Sequence, residues 1–237
     1  MLHYRSIVPP LAALLAVALF ARLGIWQLHR ADEARALDGT IAARGSTAPV
    51  RLDAAALAGN LSEVNWRPVE VHGNWDDAKQ ILLDNQVSNG VAGYYVYTPL
   101  HLPACHCAVL VNRGWIPGGP RRDVAPDVGS ATPRPVVRGV AAPAPASGFG
   151  LDSGPGERLG ATLLRVQKLD PVQLSDWLGE RIVPLTVLLA PDEPDGYRRD
   201  WRPPAARADR HVAYAVQWFL FAAIAAFLAV RMNSRRR

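Results

Sequence analysis

The hydrophobic positions of this 237-residue chain form two continuous apolar stretches near its ends, with short apolar runs between them. Residues 7–21 carry no charged side chain, and apolar residues continue after Arg22 to Leu28. A helix over residues 7–28 would be about 33 Å long, which is enough to cross the hydrocarbon core of a bilayer. Residues 212–230 form a second uncharged stretch of 19 residues. The pattern therefore predicts two transmembrane helices, at 7–28 and 212–230.

The distribution of charge predicts the topology of these two helices. Residues 29–210 contain 20 Lys and Arg and all 21 Asp and Glu, a net charge of −1. The other basic residues flank the apolar stretches, and they are Arg5, Arg22, Arg231, Arg235, Arg236 and Arg237. Because basic flanks stay on the cytoplasmic side, both termini are expected there and residues 29–210 outside. A neutral body of this kind excludes a DNA-binding domain, which concentrates positive charge on its folded surface.

A cleaved secretory signal is the alternative interpretation of the first apolar stretch. Ala16, Val17 and Ala18 fit the small-x-small pattern of a cleavage site that follows a short apolar core. The apolar run continues past Ala18 to Leu28, which favours an uncleaved anchor. Residues 26–43 contain no proline and suit a helix, so the first helix is expected to continue outward as a polar helix.

The segment between the spans predicts a mainly antiparallel β domain, so that the chain is an α+β membrane protein. Seven β-rich runs bounded by Gly, Pro, Asn or Asp lie at 67–72, 80–83, 93–98, 108–112, 135–140, 162–167 and 183–189. Short strands without long intervening helices favour a barrel or a sandwich. Asp170, Pro171 and Gly179 predict one short helix at 171–178. Residues 116–160 carry eight Pro and nine Gly and are expected to form loops around one strand.

Candidate chemistry is sparse in this sequence. It contains no nucleophile elbow, phosphate-binding loop, zinc-protease motif or dinucleotide fingerprint, so an enzyme is not expected. Cys105, His106 and Cys107, with His101 nearby, have the ligand types that suit Cu(I). A disulfide in an oxidising compartment is the other interpretation of the same two cysteines.

His211 stands out because it opens the second apolar stretch on its outer side. At helical spacing it shares a face with Ala215, Trp218 and Ala222, and Tyr214 is a neighbour. An imidazole at the membrane edge, above aromatic and small side chains, is suited to ligate a haem iron. From the residues alone, an interfacial His that anchors the helix is the favoured interpretation of the same pattern.

Several segments together resemble the surfeit locus protein one (Surf-one) family of cytochrome c oxidase assembly factors. They run in order from the first span to the second: 23–30 (LGIWQLHR), 71–86, which contains ILLDN, 93–100 (GYYVYTPL), 109–117 (VLVNRGWIP), 164–170 (LRVQKLD) and 211–219 (HVAYAVQWF). The resemblance implies a bacterial inner-membrane protein with a periplasmic domain that helps to build the haem a-containing catalytic subunit. It also implies contact with that subunit and with the haem a synthesis machinery.

The same resemblance assigns candidate site residues. His211 matches the position of a haem a ligand in bacterial relatives, and Tyr214 and Trp218 are expected to help hold the haem. Arg113 is expected either to pair with a haem propionate or to bind carbonyl groups at a strand end. Gly114 and Pro117 are expected at a turn.

Two features of the sequence depart from the family pattern. Gln86 stands where many relatives have Arg, and the two cysteines lie outside the pattern. A periplasmic copper-handling protein that uses Cys105, His106 and Cys107, or a cofactor-free membrane scaffold, are the alternative functions.

Overall fold

A computed structural model of the chain describes residues 4–119, 121–122, 124–144, 156–201 and 208–234. The chain divides into two compact units. The first is formed by the terminal segments, 1–42 and 202–237, and the second by residues 43–201. They are called here the helical unit and the β domain.

The helical unit consists of two long helices, α1 (Tyr4–Gly45) and α4 (Ala208–Ser234). Both are long and apolar enough to cross a membrane. Their large apolar side chains are extensively exposed, as lipid-facing side chains are; examples are Leu14, Leu19, Leu220 and Phe227. α1 continues without interruption to Gly45, as expected from its sequence. The predicted cleavage pattern at 16–18 lies inside this helix, and Arg235, Arg236 and Arg237 lie outside the described residues.

The β domain is built on one mixed sheet, with helices α2 (Ala54–Ala58) and α3 (Pro171–Leu178). The strands are β1 (Val50–Arg51), β2 (Pro68–Val71), β3 (Asn74–Trp75), β4 (Gln80–Ser88), β5 (Val91–Leu102), β6 (Cys107–Pro117), β7 (Val137–Pro143), β8 (Glu157–Arg158), β9 (Leu163–Val166) and β10 (Arg181–Leu189). Their order is β1-β2-β7-β10-β6-β5-β4-β9-β8, and β3 pairs with β5. The pairs β1–β2, β10–β6 and β4–β9 are parallel and the others are antiparallel. The predicted α+β class, with a mainly antiparallel sheet, is confirmed.

The centre of the sheet is buried on both faces. Val109 and Val111 of β6 pack into one apolar cluster with residues of β2, β7 and β10. Ala108 and Leu110 belong to a second cluster, on the opposite face, with residues of β4, β9 and α3. Alternate side chains of one strand therefore supply two separate cores.

The short helix α3 forms where its end signals predicted it. The Asp170 carboxylate accepts hydrogen bonds from the backbone N–H groups of Val172 and Gln173, and Pro171 begins the helix. Gly179 ends the helix in the left-handed conformation, with φ 77°. Leu174 and Leu178 are buried, so α3 covers one face of the sheet.

The expected turn at Gly114 and Pro117 is wrong, because both residues lie within β6. Val96 pairs with Gly114 and Tyr97 with Asn112, so that Arg113 is the extra residue of a β-bulge. Gly114 has φ 121°, and a Cβ there would lie 2.8 Å from the Arg198 carbonyl oxygen. Glycine is therefore required by the bulge.

The proline- and glycine-rich stretch contains both β7 and the two-residue strand β8 among its described residues, so the prediction of a single strand there is wrong. Residues 120, 123 and 145–155 of the loops predicted at 116–160 lie outside the described part of the chain.

Candidate functional site

His211 lies in the first turn of α4 and contacts α1 within the helical unit. Its Nδ1 is 2.7 Å from Oε1 of Gln27, and the imidazole is partly buried. The two residues are 184 positions apart in the sequence. This hydrogen bond joins α1 to the N-terminal end of α4.

Small residues allow α1 and α4 to approach each other closely beside this hydrogen bond. Gly24 is buried, and a Cβ on it would lie 2.7 Å from the ring of Phe219. Ala215, one turn after His211, is 1% exposed. Close approach at Gly and Ala is the usual basis of helix packing in membranes, where van der Waals contact supplies most of the attraction.

An aromatic cluster continues the contact further along the two helices. The Phe20 ring is stacked on Trp218 with centroids 5.8 Å apart, and it lies 5.9 Å from Phe221. Trp218 and Phe221 meet edge to face at 5.8 Å. Trp218 is two turns after His211, about 10 Å along the helix axis. The structure therefore places His211, Ala215 and Trp218 on the α1-facing side of α4.

Tyr214 is placed differently from the other predicted residues of α4. Its side chain is 52% exposed, and the described structure gives it no hydrogen bond or ring contact. It lies on the flank of α4 that is exposed outside the packed pair. The sequence grouped it with His211 because three residues are less than one helical turn.

Arg113 is fully enclosed in the β domain and is 2% exposed. Its Nε donates to the Asp195 carbonyl oxygen at 2.9 Å. Its Nη1 donates to the Gly129 carbonyl oxygen at 2.8 Å and to Gln80 Oε1 at 3.2 Å. The guanidinium also lies 5.1 Å from the ring centroid of Tyr197. This geometry corresponds to the carbonyl-binding role, one of the two roles expected for Arg113.

The Asp195 carboxylate is held by the loop that precedes β7. Its oxygens accept hydrogen bonds from the Thr132 backbone N–H at 2.8 Å, from the Thr132 hydroxyl at 3.0 Å and from Arg134 Nη1 at 3.0 Å. Burial raises the pKa of this carboxyl, but the bonds from Thr132 and Arg134 outweigh burial and lower the pKa below its ordinary value. Asp195 thus binds this loop through its side-chain carboxylate, and it binds Arg113 through its backbone carbonyl group.

Cys105 and Cys107 form a disulfide with each other. Cys107 is fully buried at the start of β6. His101 pairs with Asp76 and Glu180, its Nε2 lying 3.2 Å from Asp76 Oδ2. Among the described residues, no group of three His, Cys, Asp or Glu side chains is arranged to hold a metal ion. The structure therefore gives the copper-handling alternative no ligand set within the part of the chain that it describes.

Gln27 is the residue that the sequence reasoning missed at this site. A polar amide within an apolar span is costly unless it finds a partner, so its presence between Trp26 and Leu28 was a usable signal. The sequence could not identify the hydrogen-bond partner of Gln27, because His211 lies on the other helix.

The comparisons with known proteins agree with the resemblance seen in the sequence. The chain is 29% identical over 119 residues to Surfeit locus protein 1 of Rattus norvegicus, an alignment that covers 44% of this chain and 37% of that protein. Surfeit locus protein 1 of Xenopus tropicalis is 31% identical over 122 residues, covering 45% and 39%. The SURF1-like protein of Dictyostelium discoideum is 30% identical over 106 residues, covering 42% and 39%.

The chain thus aligns with less than two-fifths of the length of these relatives. The family model matches a much larger part of the chain, residues 14–223. That match begins inside α1 and ends inside α4, so it includes both Gln27 and His211. By this match the chain belongs to the SURF1 family.

Proposed function

We propose that this chain is a membrane-bound assembly factor for a terminal cytochrome c oxidase, and that His211 binds haem a during its delivery to the catalytic subunit. Membership of the SURF1 family supports the assembly role. The observation that carries the haem role is the position of His211 at the start of α4, hydrogen-bonded to Gln27. The role is one of binding and transfer, without catalysis.

The donor set at His211 fits a haem iron. One ring nitrogen is engaged by Gln27, and the described structure gives the other nitrogen no hydrogen-bond partner. Part of the imidazole remains accessible. A neutral imidazole nitrogen is a common axial ligand of haem iron. Ala215 and Trp218 follow His211 along the same side of α4. Ala215 is buried against α1, whereas the Trp218 ring is partly exposed beside Phe20, and this exposed apolar ring surface suits a macrocycle.

The proposal gives the other predicted residues different parts. Trp218 contributes apolar ring surface, and Tyr214 supplies an exposed phenol beside His211. Arg113 keeps its guanidinium inside the β domain and acts there on stability. A single protein ligand also suits a carrier, because a haem that is held by one axial ligand can be released to a partner that supplies two axial ligands. The partners proposed are the oxidase catalytic subunit and the haem a synthesis machinery.

The proposed location is the bacterial inner membrane, with both termini cytoplasmic and the β domain in the periplasm. Two spans place both termini on one side, and the arginines that flank them favour the cytoplasmic side. The Cys105–Cys107 disulfide supports an oxidising compartment for the β domain. Reporter fusions after Trp201 and after Ser234 test this. A reporter that is active only in the cytoplasm should work at Ser234 alone, and activity at Trp201 would refute the topology.

Haem retention tests the central claim. Wild-type protein and His211→Ala are purified from cells that make haem a, and the bound haem is measured by its absorption spectrum. Loss of haem from His211→Ala is expected. His29→Ala is the matched control, because His29 is an exposed imidazole on α1 of the same unit. Equal haem in wild type and His211→Ala would refute the ligand role.

A further inference from the structure

The contact between Gln27 and His211 involves one of the two ring nitrogens, Nδ1. A neutral imidazole carries one proton, and the bond made by one nitrogen decides which form is present. In this structure the carbonyl oxygen Oε1 of Gln27 faces Nδ1 at 2.7 Å. A carbonyl oxygen can only accept a hydrogen bond. With the amide in this orientation the contact is a hydrogen bond only when Nδ1 carries the proton, and Nε2 then keeps the lone pair that a metal requires.

The opposite orientation of the Gln27 amide would have the opposite effect. If the amide NH2 faced Nδ1, it would donate to the ring, and the proton would lie on the imidazole Nε2. That nitrogen could then not ligate iron without first losing the proton. The orientation of the Gln27 amide thus decides whether Nε2 of His211 is free to ligate a metal.

Apolar contacts near Gln27 also hold α1 and α4 together, so helix packing depends less on Gln27 itself. Gly24 contacts Phe219, and Phe20 stacks on Trp218, in the same helix pair. These apolar contacts remain when the amide is removed. Leucine has a volume close to that of glutamine, so Gln27→Leu removes the acceptor and keeps the contact surface.

We propose that Gln27 is a positioning residue, which accepts the Nδ1 proton of His211, fixes the imidazole in the tautomer with a free Nε2, and holds the ring plane against α1. This inference rests on the proposed haem role of His211. Hydrogen bonds of this kind to the distal nitrogen of a histidine ligand orient the ring and raise its basicity, and their loss costs about 10- to 100-fold in metal affinity.

The first experiment needs no haem. Histidine is labelled with 15N in the full-length apoprotein, and the His211 signals are assigned by their absence from His211→Ala. The chain has six histidines, so the difference spectrum is simple. A protonated Nδ1 and an unprotonated Nε2 are expected in the wild type, and loss of this form in Gln27→Leu. A wild-type ring protonated at Nε2 instead would overturn the proposal.

The second experiment measures haem affinity and the iron–histidine stretching frequency of the ferrous haem complex. Gln27→Leu should bind haem about 10- to 100-fold more weakly and lower that frequency, because the ring nitrogen becomes a poorer donor. Gln27→Glu keeps an oxygen acceptor, so it should restore binding and raise the frequency above the wild-type value. Gln217→Leu is the matched control, an exposed glutamine of α4 that should leave both quantities unchanged.

The outcomes separate this inference from the function on which it rests. Unchanged affinity and frequency in Gln27→Leu would overturn the positioning role, while loss of haem from His211→Ala would leave the ligand role standing. Weaker binding with an unchanged frequency, and no rescue by Gln27→Glu, would show a merely structural effect and would also overturn the inference. Haem retained by His211→Ala would refute the proposed function itself.

Discussion

The ring of Phe219 occupies the space into which a side chain on Gly24 would project, since its nearest atom is 2.7 Å from that Cβ position. Both residues belong to the helical unit, and Gly24 is buried. The absence of a side chain at position 24 is thus a condition for the observed packing of α1 against α4.

Gly24→Leu should therefore destabilise the helix pair by about 1–3 kcal/mol, the usual cost of overpacking. Phe219→Ala in the same chain removes the obstructing ring, so the double variant should recover part of the loss, with a coupling energy of at least about 0.5 kcal/mol. Thermal unfolding of the detergent-purified full chain measures both. Gly39→Leu is the control, because nothing lies within 4 Å of its Cβ position. It should be neutral or stabilising by up to about 1 kcal/mol; equal losses at positions 24 and 39 would contradict the assigned contact.

Replacing Arg113 by Met should destabilise the β domain by about 3 kcal/mol or more, because it leaves at least two buried oxygen acceptors without a donor. Thermal unfolding and protease resistance of the full chain measure the effect. Arg113→Lys keeps a cation and one donor group, so it should lose less. Arg181→Met tests the specificity, since Arg181 is an exposed residue of β10. If Arg113→Met changed haem content and left stability intact, the structural role would be wrong.

Asp195→Asn should lower stability at neutral pH and have little effect in acid. The folded protein lowers the pKa of this carboxyl below 3.8, so the ionised form stabilises the fold at all pH values above about 4. That contribution declines as the pH falls below 3.8 and is lost as the pH passes through the lower pKa of the folded protein, where the carboxyl becomes protonated. A difference of about 1 kcal/mol at pH 7 is expected from the lost charged hydrogen bonds.

The measurement for Asp195 is the unfolding temperature of wild type and variant from pH 7 down to pH 3, and the difference between the two curves should shrink toward the acid end. Asp192→Asn, at an exposed position of the same loop, should follow the wild type throughout. A gap that is independent of pH would show that the charge of Asp195 is not what stabilises the loop.

The disulfide makes a prediction that bears on copper. Denatured protein isolated without reductant should not react with a maleimide, and both of its cysteines should react after reduction, because Cys105 and Cys107 are bonded to each other. Cells that carry the double variant Cys105→Ser and Cys107→Ser should assemble an oxidase with its normal copper content. Reaction with the maleimide before reduction would show that the disulfide is absent. Loss of oxidase copper in the double variant would support the copper-handling alternative.

Elements with complete local signals were predictable from the sequence. Helix α3 begins at Pro171 after the Asp170 cap and ends at Gly179, and each of these residues acts through the backbone next to it. The turn at Asn89–Gly90 carried an equally local signal that was not used. Both residues have positive φ, 51° and 79°, and join β4 directly to β5. The two strands are therefore longer than the predicted runs at 80–83 and 93–98.

Contacts that depend on distant parts of the chain could not be predicted in the same way. The parallel pairing of β4 with β9 depends on the whole sheet, and local alternation does not contain it. The bulge at Arg113 is visible only once β5 fixes the register. At the candidate site the sequence identified His211 by its position at the start of a span. It could not identify Gln27 as its partner, since side-chain pairing between two helices depends on their rotation.

The strand β6 has no exposed residue between Cys107 and Ile116, because the domain covers it on both sides. Most of the VLVNRGWIP stretch, one of the segments that made the chain recognisable, therefore lies where solvent and cofactor do not reach. Inherited substitutions in this stretch are expected to reduce how much folded protein a cell accumulates and to leave the chemistry of each surviving molecule intact. The most recognisable segment of the sequence thus consists of residues that the fold requires, and the proposed haem-binding residue, His211, lies on a different element.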